Sequence, residues 1–231
     1  MQPPAHDGYF AFRSENAKDS QVKDLKEFFH VYPGCRLPTN TEETTRQIYA
    51  DLDSLGRELL GWIQQQAPAE VTGKLSMPLD QMMEGSNQSL LRILHYPPVE
   101  QSEPGAIRAA AHEDINLITL VCGETDAGLE ILDRQNNWVP IPTTQEEIVA
   151  DVGDMLARVT NNTLRATTHR VVARGSQQEK SRYSLPFFAH PRPECDLSVL
   201  RSFLSGDEEP LFPPIDAAHF LEERLREIGL L

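Results

Sequence analysis

His112 and Asp114 stand one residue apart, and the types of these two side chains suit a shared cation. If the pair opens a strand, a side-chain period of two puts both on one face. A third ligand must come from elsewhere, and His169 lies just before the strand-like stretch 170–174. Two imidazoles and one carboxylate form the facial set that suits iron(II) and leaves positions open for oxygen chemistry. The pair alone is weak. With seven His and fourteen Asp among 231 residues, chance supplies an H-x-D roughly 0.4 times per chain. A lone example is more often a satisfied structural histidine, so the assignment depends on its surroundings.

Arg182 and Ser184 form a second i, i+2 pair within a strand pattern. Arg offers a planar fork of donors for a carboxylate, and Ser adds a further hydrogen bond. Alone, the pair reads as an edge-strand Arg with a surface acid and a solvated Ser. Beside a metal triad the reading reverses, because a buried Arg needs an anionic partner and a metal-chelating 2-oxoacid supplies one. Other polar residues carry less. His30, Tyr32 and Arg36 could border a substrate but read first as loop residues. His95 and His190 read as structural, and His6 and His219 as surface. Phe187 and Phe188 read as core and pocket wall. Asp154 reads as a hydrogen-bond organiser near the strand of His169, and Arg170 as a neighbour that orients His169 or pairs with an acid.

These residues must be positioned by a mixed set of elements. Residues 1–41, broken by Pro3, Pro4, Pro33 and Pro38, predict loops plus one short element, with Asp24–His30 either a helical turn or a brief strand. From Thr41 to about Gln66, Ile48, Leu52, Leu55 and Leu59 recur at helical spacing; Thr39 and Glu42 have capping-box spacing and Pro68 supplies a stop. A short helix follows Pro78 near Leu79–Glu84, and a last one runs from about Asp216 to Ile228, ending at Gly229. Between them, 89–96, 115–121, 129–132, 138–141, 147–152, 170–174 and 182–189 are short, β-branched or aromatic segments. Gln135-Asn136-Asn137 makes a hairpin turn, since Asn tolerates positive φ. Seven or eight such strands indicate a sandwich or barrel flanked by helices.

The net charge of −14 repels phosphate backbones and anionic lipid, so neither nucleic acid nor membrane is an expected partner. Hydrophobic and charged contents of 39% and 24% are those of a globular chain. Cys35, Cys122 and Cys195 are few and scattered, which reads as reduced thiols in a cytoplasmic protein. No apolar run has the length of a signal peptide or a membrane span.

Taken in order, the segments resemble the isopenicillin N synthase-like family of Fe(II)/2-oxoglutarate-dependent dioxygenases. AAHEDINLITLV (110–121) is similar to the family's first metal motif and following strand. GLEIL (128–132), WVP (138–140), GDML (153–156), TNN…THRVV (160–172) and RYSLPFF (182–188) follow in the family's order. The 54 residues between Asp114 and His169, and the 13 steps from His169 to Arg182, match its spacing. LLRILHYPP (90–98) resembles the strand that closes the oxoglutarate pocket, and DLKEFFH (24–30) the tail of the N-terminal region. The resemblance implies a mainly β fold with flanking helices, a distorted double-stranded β-helix or jelly roll. It implies one oxygenase domain over 1–231: N-terminal loops and helices in 1–88, shorter than the family norm; a jelly-roll core in 89–192; and a C-terminal loop and helix in 193–231. It implies Fe(II) on His112, Asp114 and His169, with 2-oxoglutarate as co-substrate alongside O2, its distal carboxylate met by Arg182, Ser184 and Tyr96. The expected reaction oxidises a small organic molecule, by default hydroxylating it, while 2-oxoglutarate is decarboxylated to succinate. A same-fold iron oxidase that uses no 2-oxoglutarate, and a non-catalytic jelly-roll binding protein, are the alternatives. Two positions depart from the pattern: Leu94 stands where the family often has Asn, and Asn161-Asn162 where Asn-Gly is usual.

Overall fold

The computed structural model of the chain describes residues 7–15, 22–66, 77–98, 107–174, 178–199, 204, 206 and 209–227. Ten strands among them make two antiparallel sheets. The larger has the spatial order β1 (Gly8–Phe10), β2 (Glu27–Val31), β3 (Leu90–Tyr96), β10 (Arg182–Ala189), β5 (Ile118–Cys122) and β8 (Val149–Val152). The smaller has the order β4 (Ala109–His112), β9 (His169–Val171), β6 (Leu129–Leu132) and β7 (Trp138–Pro140). This is the expected jelly roll. The Asp24–His30 stretch resolves as a strand rather than a helical turn, pairing Phe28 with Leu94 and His30 with Arg92.

Alternation along the larger sheet divides its faces by chemistry. Leu91, Leu120, Phe187 and Ala189 project to the outer face and join the main apolar core, which four helices help to cover. Those helices are α1 (Glu42–Gln66), α2 (Leu79–Met82), α3 (Asp154–Val159) and α4 (Ala217–Glu227). The inner face looks toward the smaller sheet, and its apolar cluster is modest: Phe28, Leu94 and Tyr96 against Ala109 and Val171. Stability thus comes from the helix-covered face, where burial contributes about 1.5–3 kcal/mol per large side chain. The inter-sheet interior is free to hold polar groups.

Several sequence expectations shift by a residue or a turn. α1 starts at Glu42 after Thr41, so Thr39 is not its cap. Its most buried line is Thr45, Leu52, Gly56 and Leu60, with Ile48, Leu55 and Leu59 only partly buried beside it. Gly56 packs toward Met83 and β10: a Cβ there would make ordinary contact with Met83 Cε at 3.4 Å and the Ala189 methyl at 3.7 Å. The β6–β7 turn is as expected, with Asn136 at φ 61° and the Asp133 carboxylate accepting from the Gln135 and Asn137 amides. Pro68, Ile228 and Gly229 lie outside the described residues. No described helix is long and apolar enough to cross a membrane.

Candidate metal centre and arginine pocket

His112 is the last residue of β4 and His169 the first of β9, and the two are directly opposed in the antiparallel ladder. Their ring centroids are 4.4 Å apart. Asp114 lies beyond β4, in the turn to β5, so the strand alternation assumed for His112 and Asp114 is not what joins them. The turn itself folds the carboxylate back. Its Oδ1 lies 3.7 Å from His112 Nε2 and 3.9 Å from His169 Nε2. One ligand atom from each residue falls within a 4.8 Å group.

The surroundings fix each ligand. His112 Nδ1 donates to the Ala110 carbonyl at 2.7 Å, and His169 Nδ1 to that of Thr167 at 3.0 Å, with Asp151 Oδ2 at 3.4 Å. Both rings therefore turn Nε2 toward Asp114, the orientation a metal requires. Thr119 donates to Asp114 Oδ2 at 2.5 Å, and Asn116 donates to Thr119 at 2.9 Å. Gly153 holds the turn: a Cβ on it would sit 2.2 Å from the Asn116 carbonyl oxygen. The next amide, that of Asp154, donates to the Asp114 carbonyl at 2.7 Å. Asp154 thus organises the Asp114 turn through its backbone amide, a turn role that the sequence allowed.

Electrostatics favour a positive charge here. Burial pulls His169 down, but Asp114, the Asp151 hydrogen bond and the Thr167 carbonyl push it up to about 9. Burial, then the neighbouring His169, lowers His112 to about 4. Burial raises Asp114, yet the two histidines and the Thr119 hydroxyl hold it below the ordinary carboxylate range. One proton between three ligands stands where a divalent cation fits. The donor set, two imidazole nitrogens and one carboxylate oxygen, is that of a non-haem iron(II) site.

The same inner face carries the second constellation. Arg182 and Ser184 on β10 face inward, and Arg182 is paired with Tyr96 across β3, its guanidinium carbon 5.2 Å from the tyrosine ring. Arg182 is 1% exposed. Its Nε donates to the Asp126 carbonyl at 2.9 Å and Nη1 to Ser184 at 3.3 Å, while Nη2 meets the Glu124 carboxylate. Leu94 is buried in the adjacent apolar cluster.

A third polar group closes the interior on the side of β1 and β2. Arg92 on β3 donates to His30 Nε2 at 2.9 Å and to both oxygens of Glu15 at 3.1 and 3.2 Å. Lys26 bridges Glu15 at 2.7 Å and Asp24 at 2.8 Å. The Arg92 guanidinium lies over Phe28 at 4.3 Å and Phe188 at 5.3 Å. Of these residues only His30 and Phe188 drew attention as sequence; ion pairs between remote segments leave no periodicity to find. Tyr32 is half-buried and edges onto His30, whereas Arg36 is exposed. His95 is held by Glu27 and Ser181 and stacks on Tyr183. Buried His190 donates to the Phe188 carbonyl, and exposed His219 pairs with Asp216. Phe187 is core. Arg170 pairs with Glu130 and lies 3.9 Å over Trp138. His6 lies outside the described residues.

Comparison with known proteins agrees with this geometry. The profile of the 2OG-Fe(II) oxygenase superfamily matches residues 87–191, the span from before β3 to the end of β10. A 2-oxoglutarate-Fe(II) type oxidoreductase, ppzD of Metarhizium rileyi, is 34% identical over 146 residues, 60% of this chain and 41% of its own. The proline hydroxylase buaE of Petromyces alliaceus is 31% identical over 231 aligned positions, 90% of this chain and 70% of its own. The chain spans 41%, 42% and 55% of three curated relatives it matches. An oxygenase-class protein of known structure from Shewanella oneidensis is 39% identical, with TM-score 0.78, covering 100% of this chain and 79% of that one. Sequence, fold and donor set converge: the chain belongs to the 2OG-Fe(II) oxygenase superfamily.

Proposed function

We propose that the protein is an Fe(II)- and 2-oxoglutarate-dependent oxygenase that hydroxylates a small organic molecule. The observation that carries this is the convergence of His112, Asp114 and His169, within 4.8 Å of one another, on a barrel interior that also presents Arg182 and Ser184. His112 Nε2, His169 Nε2 and one Asp114 oxygen would hold the iron. Arg182, Ser184 and Tyr96 would receive the distal carboxylate of 2-oxoglutarate. Iron held there would supply activation of O2, one oxygen atom going to a substrate C–H to give C–OH and the other to 2-oxoglutarate as it becomes succinate and CO2.

The protein's part is positional. The Ala110 and Thr167 carbonyls and Asp151 fix the imidazoles, and Thr119 fixes the carboxylate. The acidic chain, with net charge −14, favours a small molecule over nucleic acid or a membrane surface, and its three free thiols suit the cytoplasm. Protein loaded anaerobically with Fe(II) should consume O2 and release succinate only when 2-oxoglutarate is added. Oxygen uptake independent of 2-oxoglutarate would instead identify a same-fold oxidase.

A further inference from the structure

We infer that Glu124 is a specificity-determining residue of the co-substrate pocket: a resident carboxylate on Arg182 that weakens selection for 2-oxoacids bearing a distal carboxylate. The inference rests on the proposed use of a 2-oxoacid. Glu124 follows Gly123, whose φ of 64° turns the chain inward after β5. Its side chain is 3% exposed against 1% for Arg182, and one oxygen meets Arg182 Nη2. Its other oxygen is buried with no hydrogen-bond partner among the described residues. Two further donors of Arg182, at Nε and Nη1, are taken by the Asp126 carbonyl and Ser184. The arginine expected to await a ligand therefore already has a counter-ion.

Charge around the pocket sharpens the point. Arg108, also 1% exposed, lies near enough that burial and then the Arg182 charge hold its guanidinium below the usual range, with Asp126 opposing. Two cations, Arg182 and Arg108, thus face two acids, Glu124 and Asp126. A ligand carboxylate adds a third negative charge beside Glu124 in a poorly screened interior, where like charges oppose one another strongly. Glu124→Gln keeps the oxygen that accepts from Arg182, keeps the volume and removes the charge.

The test is binding of 2-oxoglutarate, and of 2-oxopentanoate (the same carbon chain without the distal carboxylate), to anaerobic Fe(II)-loaded wild type and E124Q, read by calorimetry. The expected result is at least tenfold tighter binding of 2-oxoglutarate by E124Q, with 2-oxopentanoate changed less than twofold. Unchanged or weaker 2-oxoglutarate binding by E124Q overturns the inference and makes Glu124 a support of Arg182. Should E124Q fail to fold, the wild type decides: preference for 2-oxoglutarate over 2-oxopentanoate below tenfold is expected, and a larger preference overturns the inference. If neither oxoacid binds either Fe(II)-loaded protein, the proposed function itself fails.

Discussion

Two polar clusters share one inter-sheet interior, the arginine pocket fully buried and the triad with only Asp114 buried, and they are balanced in opposite ways. At the triad, Asp114 and Asp151 converge on His169 and hold a proton there up to about 9, so the site wants a cation from outside. At the arginine pocket, Arg182 is met by Glu124 from within. Buried charge is tolerated in both, but the first would be completed by a metal, whereas in the second Glu124 already pairs with Arg182. The difference shows that burial and residue type alone do not say whether a cluster awaits a ligand. What decides is whether the local charges cancel.

The largest way to break this comparison is at Arg182. Arg182→Met leaves Glu124 buried without its cation and should cost about 3–5 kcal/mol of stability. Adding Glu124→Gln to the same chain should recover much of the loss, measured by denaturant unfolding. Equal stability of the single and double variants would mean the two side chains do not pair. At the triad, Asp151→Asn should weaken metal binding about 10–100-fold, because the ring of His169 loses a carboxylate neighbour. Titration with Co(II) measures this, and the ligand-field spectrum reports whether the coordination sphere is otherwise kept.

A pH series separates the clusters. Metal must displace the His169 proton, so apparent affinity should rise with pH by up to about tenfold per unit, from above about 4, where His112 is already neutral, to about 9. Above that it should level off. A flat profile between pH 6 and 8 would contradict a proton held at the triad. The smallest effect is expected at Thr119→Val, which removes the hydrogen bond to Asp114 Oδ2 and the acceptor of the Asn116 amide. About 1.5–3 kcal/mol of stability should be lost in the metal-free protein, the worth of a hydrogen bond to a charged group.

The grouping of His112, Asp114 and His169 was legible not from the His-x-Asp pair, which is weak alone, but because the spacing fits motifs that occur in order along the chain. That Arg182 and Ser184 share a face was legible because period-two alternation needs only the strand to be recognised, whereas Tyr96 entered only through the family resemblance. Asp151 was hidden although it obeys the same rule. Its inward direction follows only from the register that pairs it with Thr119, and register between strands far apart in sequence has no local signal. Glu124 was hidden for another reason: it sits in a turn, where no periodicity points a side chain anywhere. The Glu15–Lys26–Asp24–Arg92 network joins loop and strand segments through ion pairs that composition does not reveal. The buried line of α1 was read one position off at Leu55 and Leu59, because it runs through the small Gly56 to Leu60. Apolar periodicity weights large residues and overlooks it.

We propose His112, Asp114 and His169 as an iron site working with 2-oxoglutarate. It is tested most directly by succinate formation under O2 in Fe(II)-loaded wild type and Asp114→Ala, each with and without 2-oxoglutarate, with metal content measured in parallel. Expected are 2-oxoglutarate-dependent succinate in the wild type, and in the variant a loss of more than about 100-fold in both metal affinity and succinate. Undiminished succinate from Asp114→Ala would contradict that assignment.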